Sequence, residues 1–402
     1  MAAPTEMHDQ RRDSDRPTAV QSLRLCLRGR WEPAALDAAS TQSAWSHIDW
    51  PAVCHVAQCE GLAPLLYQIT RVKDLAADLP PAVDAELRRA YLGTARRNAI
   101  LFNELERLLP ALAAAEVPVL LLKGAALAQV IYGNIALRPM ADLDLLVREK
   151  DVPTALRVFL TLGYGITPPL VYRSEVMLHR QVQAEKALVE LHWSPFVPPY
   201  YQYSGLIDWV WDTALPVAGD LGTGSTWVLG PEAQLLHLCG HIQLHHANEE
   251  AKQLWFHDIA EVIAHYRDTI HWDETLARAE EYDLVLPMQR IVARVIKEYW
   301  CPSPAGCQLP VPARVLERLS VLRPSPGEQR LHAMLETGSL TGINRLWVDL
   351  VTLPGPKARL QFGWRNLFPP ADYVRACYHI PNRLQVALYY PYRWLLVLRG
   401  LI

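Results

Sequence analysis

Three short apolar runs interrupt a chain whose hydrophobic pattern is otherwise helical, and they constrain its fold more than any other feature. They are VPVLLLK (117–123), LDLLV (143–147) and ALVELHW (187–193). Short runs rich in Val and Leu, bounded by Gly, Pro or charged residues, are typical of buried strands. Helical patterns separate them, and Asp151 is the predicted N-cap of the second helix. The alternation predicts an α+β protein with its α/β core at residues 116–195.

The pattern on both sides of this core is helical. Residues 1–18 are polar and charged, which predicts a disordered tail and not a signal peptide. Residues 19–115 repeat apolar positions at intervals of three and four, so we expect helices there, the last of them long. Residues 196–300 form a second helical region. Residues 301–402 form a third, which prolines interrupt.

Composition restricts the binding partners and the cellular compartment that we expect for this protein. The chain carries 39 Lys and Arg against 42 Asp and Glu, for a net charge of −3. This balance disfavours long nucleic acid as a partner. No apolar run reaches the roughly 20 residues of a membrane-spanning helix. Seven cysteines without a CxxC motif indicate reduced thiols and a cytoplasmic protein. The oligomeric state stays open.

The chemistry is concentrated in one stretch, LLLKGAALAQVIYGNIALRPMADLDLLVREKD. Asp142 and Asp144 are two apart at the start of a strand, which turns both carboxylates to one side. Adjacent carboxylates repel, and a divalent cation is the commonest reason to find them together. Glu190, on the polar side of the third run, is the candidate third ligand of a two-metal site, and Glu175 or Glu185 is the next candidate if Glu190 faces away from it. Upstream, Lys123-Gly124 ends a strand and begins a helix, where backbone N–H groups can meet a phosphate.

These residues resemble the DNA polymerase beta-type nucleotidyltransferase superfamily, in which a glycine precedes an Asp-x-Asp pair and an acidic residue follows on a later strand. The longer pattern is similar to an uncharacterised bacterial nucleotidyltransferase family whose core reads LKG…Y…R…DxDLLV. The resemblance extends over about residues 45–400 and is strongest at 117–195. The matching residues are Leu122-Lys123-Gly124, Tyr132, Arg138, 142–147, Gly163-Tyr164, Glu190-Leu191-His192-Trp193, His241, His245 and Asp258.

The resemblance implies a polymerase-beta-like core, a small mixed sheet with helices, flanked by N- and C-terminal helical regions. It implies an enzyme that moves a nucleoside monophosphate from an NTP to an acceptor. Asp142, Asp144 and Glu190 would be the catalytic residues and would hold Mg²⁺, or Mn²⁺ in its place. The near-neutral charge favours a small molecule or a protein side chain as the acceptor.

The nucleotide-binding residues that the resemblance implies are Lys123, Gly124, Ala125 and Arg138. The Gly-Ser pair of the superfamily is Gly124-Ala125 in this chain, so no serine hydroxyl is present at that position to hold a phosphate. Lys123 or Arg138 would then take that role. For Arg138 the sequence leaves two interpretations open, a salt bridge to the two aspartates or a contact with the triphosphate.

Four further residues are candidates for secondary roles near the nucleotide. They are Tyr132, His192, His241 and Asp258. Each also has a structural interpretation, Tyr132 as a core aromatic residue and His192 as a hydrogen-bonded inner histidine.

A histidine-rich segment supports a different hypothesis. His237, His241 and His245 are spaced by four residues and share one helix face, and His257-Asp258 follows. An HD-type metal-dependent phosphohydrolase using His241, His257 and Asp258 is therefore one alternative. The other is a catalytically degenerate, nucleotide-binding scaffold, since 13 Trp and 31 Pro suit an interaction surface.

Overall fold

A mixed sheet of seven strands lies between helices from both ends of the chain. The computed structural model describes residues 18–31, 48–72, 79–167, 174–196, 200–201, 205–217, 221, 224–245, 251–300, 309–336, 342–353 and 355–401. The predicted tail lies outside the described residues except for its last residue, which begins the first helix. The expected mixture of helices with one sheet is confirmed.

Helices make up the described chain before the sheet. Their bounds are α1 (18–28), α2 (Trp50–Cys59), α3 (Ala63–Val72) and α4 (Pro81–Ala114). The long last helix agrees with the sequence pattern, because the stripe of leucines in its second half is buried. In α2, the Asp49 carboxylate accepts a hydrogen bond from the Ala52 backbone N–H and so caps the helix N-terminus.

The sheet runs in the order β3-β4-β5-β2-β1-β7-β6. Its strands are β1 (Val119–Leu121), β2 (Leu143–Leu146), β3 (Gly165–Thr167), β4 (Glu175–Val182), β5 (Glu185–His192), β6 (Leu215–Pro216) and β7 (Thr226–Val228). The three strands predicted from apolar runs are therefore neighbours at its centre. There β2 pairs parallel with β5 and antiparallel with β1.

Short helices connect these strands. A single turn, α5 (Lys123–Ala126), continues as a π-helical turn at Leu127–Ile131, and α6 (Val152–Thr161) joins β2 to β3. Asp151 occupies the N-cap position of α6 as predicted, although its side chain makes no capping hydrogen bond.

The sheet extends beyond the segment predicted as the α/β core. The region 196–300, predicted as helical, also contributes β6 and β7, and β7 pairs parallel with β1. Its helices are α7 (Leu206–Asp212), α8 (Pro231–His245), α9 (Gln253–His265), α10 (Trp272–Glu281) and α11 (Val285–Tyr299).

The described part of the C-terminal region consists of helices and their connections, without strands. Its helices are α12 (Ala313–Val321), α13 (Pro326–Glu336), α14 (Gly342–Thr352), α15 (Gly355–Leu367), α16 (Ala371–Tyr378) and α17 (Arg383–Leu401). Among the described residues, no helix combines the length and the apolar character needed to cross a membrane.

Each face of the sheet packs on a different hydrophobic core. Leu120 and Leu146 belong to a core shared with α2, α3 and α8–α11, whereas Leu121 and Leu145 belong to a core shared with α4, α6 and α16. Side chains alternate along a strand, so Asp144 shares its face with Leu146. The predicted catalytic strand therefore turns its carboxylate toward the helical layer of α8 and α9.

Candidate active site

The floor of the candidate site is a pair of acidic residues on neighbouring strands. Asp144 on β2 stands directly beside Glu190 on β5 in the parallel register, and Asp142 lies just before β2. All three line one cavity of about 530 Å³, together with Glu175 from β4. We call it the carboxylate cavity. The structure thus brings the three predicted acidic residues to one place.

The tightest cluster on this floor includes a histidine. The ligand atoms of Asp144, Glu190 and His192 all lie within 4.8 Å of one another, and this is the only such group of three in the described chain. His192 Nε2 is 3.1 Å from Asp144 Oδ1 and 3.4 Å from Glu190 Oε2. Asp142 lines the cavity outside this group. His192, a secondary candidate from the sequence, therefore lies as close to Asp144 and Glu190 as a shared metal ligand would.

Lys123 neutralises one oxygen of the acidic floor. Its Nζ donates a hydrogen bond of 2.8 Å to Asp144 Oδ1. Lys123 has a φ of 42°, in the left-handed region that non-glycine residues rarely adopt, and such backbone strain is concentrated at functional sites. Burial opposes its charge, but the attraction of Asp144 raises the pKa of Lys123 above its ordinary value.

The acidic groups differ in how well their charge is compensated. Burial, then repulsion by Asp144 and Glu190, raises the pKa of Asp142 to about 6. Burial also opposes the charge of Asp144, but Lys123 and His192 hold its pKa far below the ordinary value. Burial opposes the charge of His192 as well, yet its hydrogen bonds to Asp144 and Glu190 raise its pKa to about 9. Of the two aspartates, Asp142 is thus the one whose negative charge is less compensated.

Arg138 forms a salt bridge with one carboxylate, that of Asp258 on α9. Its Nη2 is 2.8 Å from Asp258 Oδ2, and its Nε is 3.2 Å from both carboxylate oxygens. Tyr132 donates a hydrogen bond of 2.8 Å to Asp258 Oδ1. All three residues are buried. This result corrects one interpretation of Arg138, because its salt bridge is to Asp258 and not to the Asp142–Asp144 pair.

Gly124 is required by packing within the protein. A Cβ at this position would lie 2.7 Å from Arg138 Nη1 and 2.8 Å from Met140 Sδ, so a larger residue would displace one of these two side chains. Gly124 also lines the carboxylate cavity. Ala125, predicted to contact the nucleotide, has its side chain in the core beneath the sheet and is not among the residues that line the cavity.

The upper wall of the cavity is apolar and comes from α8 and α9. Leu238 and Ile242 of α8 face Leu254 and Trp255 of α9 across it. His241 lines the same wall, and its ring lies 5.8 Å from the Trp255 ring in an edge-to-face arrangement. The cavity therefore combines a charged floor with an aromatic and aliphatic roof, which is typical of a site for an amphipathic ligand.

The histidine-based metal site of the alternative hypothesis does not form in the described chain. His257 is fully buried, with Nε2 3.2 Å from Glu261 and its ring stacked on Trp31. Asp258 is occupied by Arg138 and Tyr132. The ligand atoms of His241, His257 and Asp258 do not form one of the convergent groups. This geometry corrects the HD-type assignment of those residues.

Sequence reasoning assigned no role to Trp255 or Lys252 and kept Glu175 only as a substitute third ligand. Glu175 Oε2 is 3.6 Å from His192 Nδ1. The strand that carries Glu175, EVMLHRQV, was not predicted from the sequence; its buried Val176 and Leu178, two positions apart, are the signal that could have identified it. Lys252 directly precedes α9, and Trp255 lies in its first turn. No local sequence motif distinguishes either residue from others at a helix start.

The mixed sheet presents paired carboxylates and a lysine to the carboxylate cavity, and such a lining suits a charged ligand. The chain matches the uncharacterised nucleotidyltransferase family over residues 46–297 and belongs to that family. The matched span includes the whole carboxylate cavity. The nucleotidyltransferase resemblance inferred from the sequence is confirmed at this level. No curated protein and no solved structure matches the chain.

Proposed function

We propose that the protein transfers a nucleoside monophosphate from an NTP to an acceptor, on a core of the polymerase-beta type. The observation that carries the proposal is the register of Asp144 beside Glu190 on parallel strands, at the floor of a cavity within the family's matched span. Phosphoryl chemistry of this kind depends on positioning and charge neutralisation, which a site of carboxylates and cations can supply.

The acidic floor suits divalent cations. Asp142, Asp144, Glu175 and Glu190 line the cavity, and the ammonium of Lys123 is paired with Asp144. Carboxylate oxygens are the ligands that Mg²⁺ prefers, and an adjacent imidazole is compatible with Mn²⁺. Asp142, Asp144 and Glu190 would hold the metal, with His192 beside them. When bound, the cations neutralise the triphosphate and orient it for in-line displacement.

The remaining residues of the cavity contact different parts of the NTP. Lys123 is placed to donate to the phosphates, and the apolar wall that contains Trp255 is placed to receive the nucleobase. An acceptor oxygen or nitrogen forms a bond to the α-phosphorus, and the bond from that phosphorus to the α,β-bridging oxygen breaks. Pyrophosphate leaves, and the proton of the acceptor passes to water.

Incubation with each α-labelled NTP, Mg²⁺ and a cell extract tests this function. The expected result is a labelled adduct that Asp142→Asn lowers by about 10²-fold or more, because one charge that stabilises the transition state is lost. Asp212→Asn, an exposed carboxylate on α7, is the matched control. Binding of Mg²⁺–NTP in calorimetry without any labelled adduct would support the degenerate, nucleotide-binding scaffold instead, and failure to bind any Mg²⁺–NTP would refute the proposed function.

A further inference from the structure

A second cavity of about 430 Å³ adjoins the carboxylate cavity. The two share four lining residues, Gly61, Pro139, Met140 and Lys252. The rest of the second cavity is formed mainly by α2, α3 and the first half of α4. A molecule bound there would lie next to the cavity that holds the acidic floor, with the Pro139–Met140 segment between them.

The charge of the second cavity is opposite to that of the first. No Asp or Glu is among the described residues that line it, and Arg97 and Lys252 are its charged groups. Arg97 donates to Glu185 and to the carbonyl oxygen of Ala141, which fixes the position of its guanidinium and compensates part of its charge. Lys252 has no ion pair within the described residues. We call this space the cationic cavity, and its charge suits an anionic occupant.

A glycine in the first half of α4, Gly93, lines the cationic cavity. Ala90, Gly93, Thr94 and Arg97 recur at intervals of three and four and form one helix stripe along the cavity. Glycine inside a helix costs about 1 kcal/mol relative to alanine. A Cβ at Gly93 would meet no other atom within 4 Å. Packing within the described residues therefore does not require this glycine, and its exposed position leaves room for an occupant of the cavity.

We propose that the cationic cavity is the acceptor subsite, and that the acceptor is a small molecule with a carboxylate or phosphate group. Lys252 and Arg97 bind that anionic group, and the nucleophilic hydroxyl or amine of the acceptor points past Met140 toward the α-phosphate of the NTP. The inference rests on the proposed function, because a transferase needs a place for its second substrate beside the first.

Gly93→Leu fills the cavity and tests the proposal without removing any charged residue. The full-length chain, with Mg²⁺ and non-hydrolysable α,β-methylene NTPs, is dialysed to equilibrium against a small-molecule filtrate of a cell extract. Mass spectrometry then measures which filtrate molecules the protein enriches. Gly363→Leu is the matched control, since Gly363 is another helical glycine with nothing within 4 Å of a Cβ, on α15. Label transfer from α-labelled NTP is measured on the same variants.

We expect the wild type and Gly363→Leu to enrich the same anion, and Gly93→Leu and Lys252→Ala to enrich it at least about 10-fold less. Gly93→Leu should unfold at the same denaturant concentration as wild type or a higher one. The proposal is overturned if the wild type enriches no molecule, if the enriched molecule carries no negative charge, or if Gly93→Leu enriches it equally. Enrichment without label transfer would refute the proposed function and leave the subsite standing. If the wild type transfers label and Gly93→Leu transfers it equally well, the acceptor subsite is refuted and the proposed function stands.

Discussion

Lys123 Nζ lies 2.8 Å from Oδ1 of Asp144, so an internal ammonium occupies one oxygen of the carboxylate at the centre of the proposed metal site. A divalent cation that binds Asp144 weakens this ion pair, because both positive groups are attracted to the same oxygen. The triphosphate of the substrate then offers Lys123 a new acceptor. Metal and nucleotide binding are therefore expected to depend on each other through this pair.

Lys123→Met tests that coupling. Removal of the ammonium should raise Mg²⁺ affinity in the absence of nucleotide, because its competitor is gone, and should lower Mg²⁺–NTP affinity by about 10-fold, since a charge-assisted contact is lost. Calorimetric titration of Mg²⁺ with and without NTP measures both effects. Lys150→Met, a change at an exposed lysine before α6, should alter neither. Equal Mg²⁺ affinity in the variant and the wild type would contradict the competition.

Asp142→Asn should change how stability depends on pH. In the metal-free protein the pKa of Asp142 is raised to about 6, against about 3.9 in an unfolded chain. A raised pKa means that the wild type loses stability as pH rises from about 4 to about 6, so the variant becomes more stable relative to it across that range, by on the order of 3 kcal/mol. Below about pH 4 the difference should no longer change with pH.

Urea unfolding of both proteins from pH 4 to 8 measures this difference. Saturating Mg²⁺ at pH 7 should remove the advantage of the variant, because a bound cation compensates the charge of Asp142 in the wild type. An advantage that does not vary with pH would show that burial and repulsion do not govern this carboxyl group.

Asp144→Asn is expected to behave differently from Asp142→Asn although the two aspartates are only two residues apart. Asp144 is 4% exposed and pairs with both Lys123 and His192. Its neutralisation leaves buried positive charge uncompensated, and breaking such a pair costs about 3 kcal/mol or more. The midpoint of urea unfolding should therefore fall in Asp144→Asn. The double variant Lys123→Met/Asp144→Asn should recover part of the loss, which a simple packing defect would not.

Local patterns predicted the central strands and the side on which Glu190 lies, because alternation along a strand depends only on neighbouring residues. They did not predict that Asp144 and Glu190 are paired in register, nor that Thr226 pairs with Val119, since pairing is decided by tertiary packing. The strand that carries Glu175 was missed because its sequence contains no continuous apolar run. Only Val176 and Leu178 in it are buried.

The roles of Arg138 and Asp258 could not be read from spacing. The two residues are 120 positions apart, and each belongs to a segment with a plausible local function, a phosphate contact for one and a metal ligand for the other. Only the packing of α9 against the loop before β2 joins them. The same holds for Lys252 and Trp255. Their place in the site depends on the packing of α9, which brings them to the same cavity as the acidic residues.

Bound metal in three variants separates nucleotidyl transfer from HD-type hydrolysis. Asp258→Asn removes the carboxylate charge that compensates the buried Arg138, so stability should fall by about 3 kcal/mol or more, while Mn²⁺ stays bound because the acidic floor is intact. His241→Ala should likewise keep its metal, since His241 lies on the apolar wall. Asp142→Asn should lose Mn²⁺ affinity by about 10-fold or more, because one negative ligand is removed from the floor. Equilibrium dialysis with Mn²⁺, at a temperature where every variant is folded, measures all three. Loss of metal from Asp258→Asn and its retention in Asp142→Asn would move the cation to the helices and refute the transferase site.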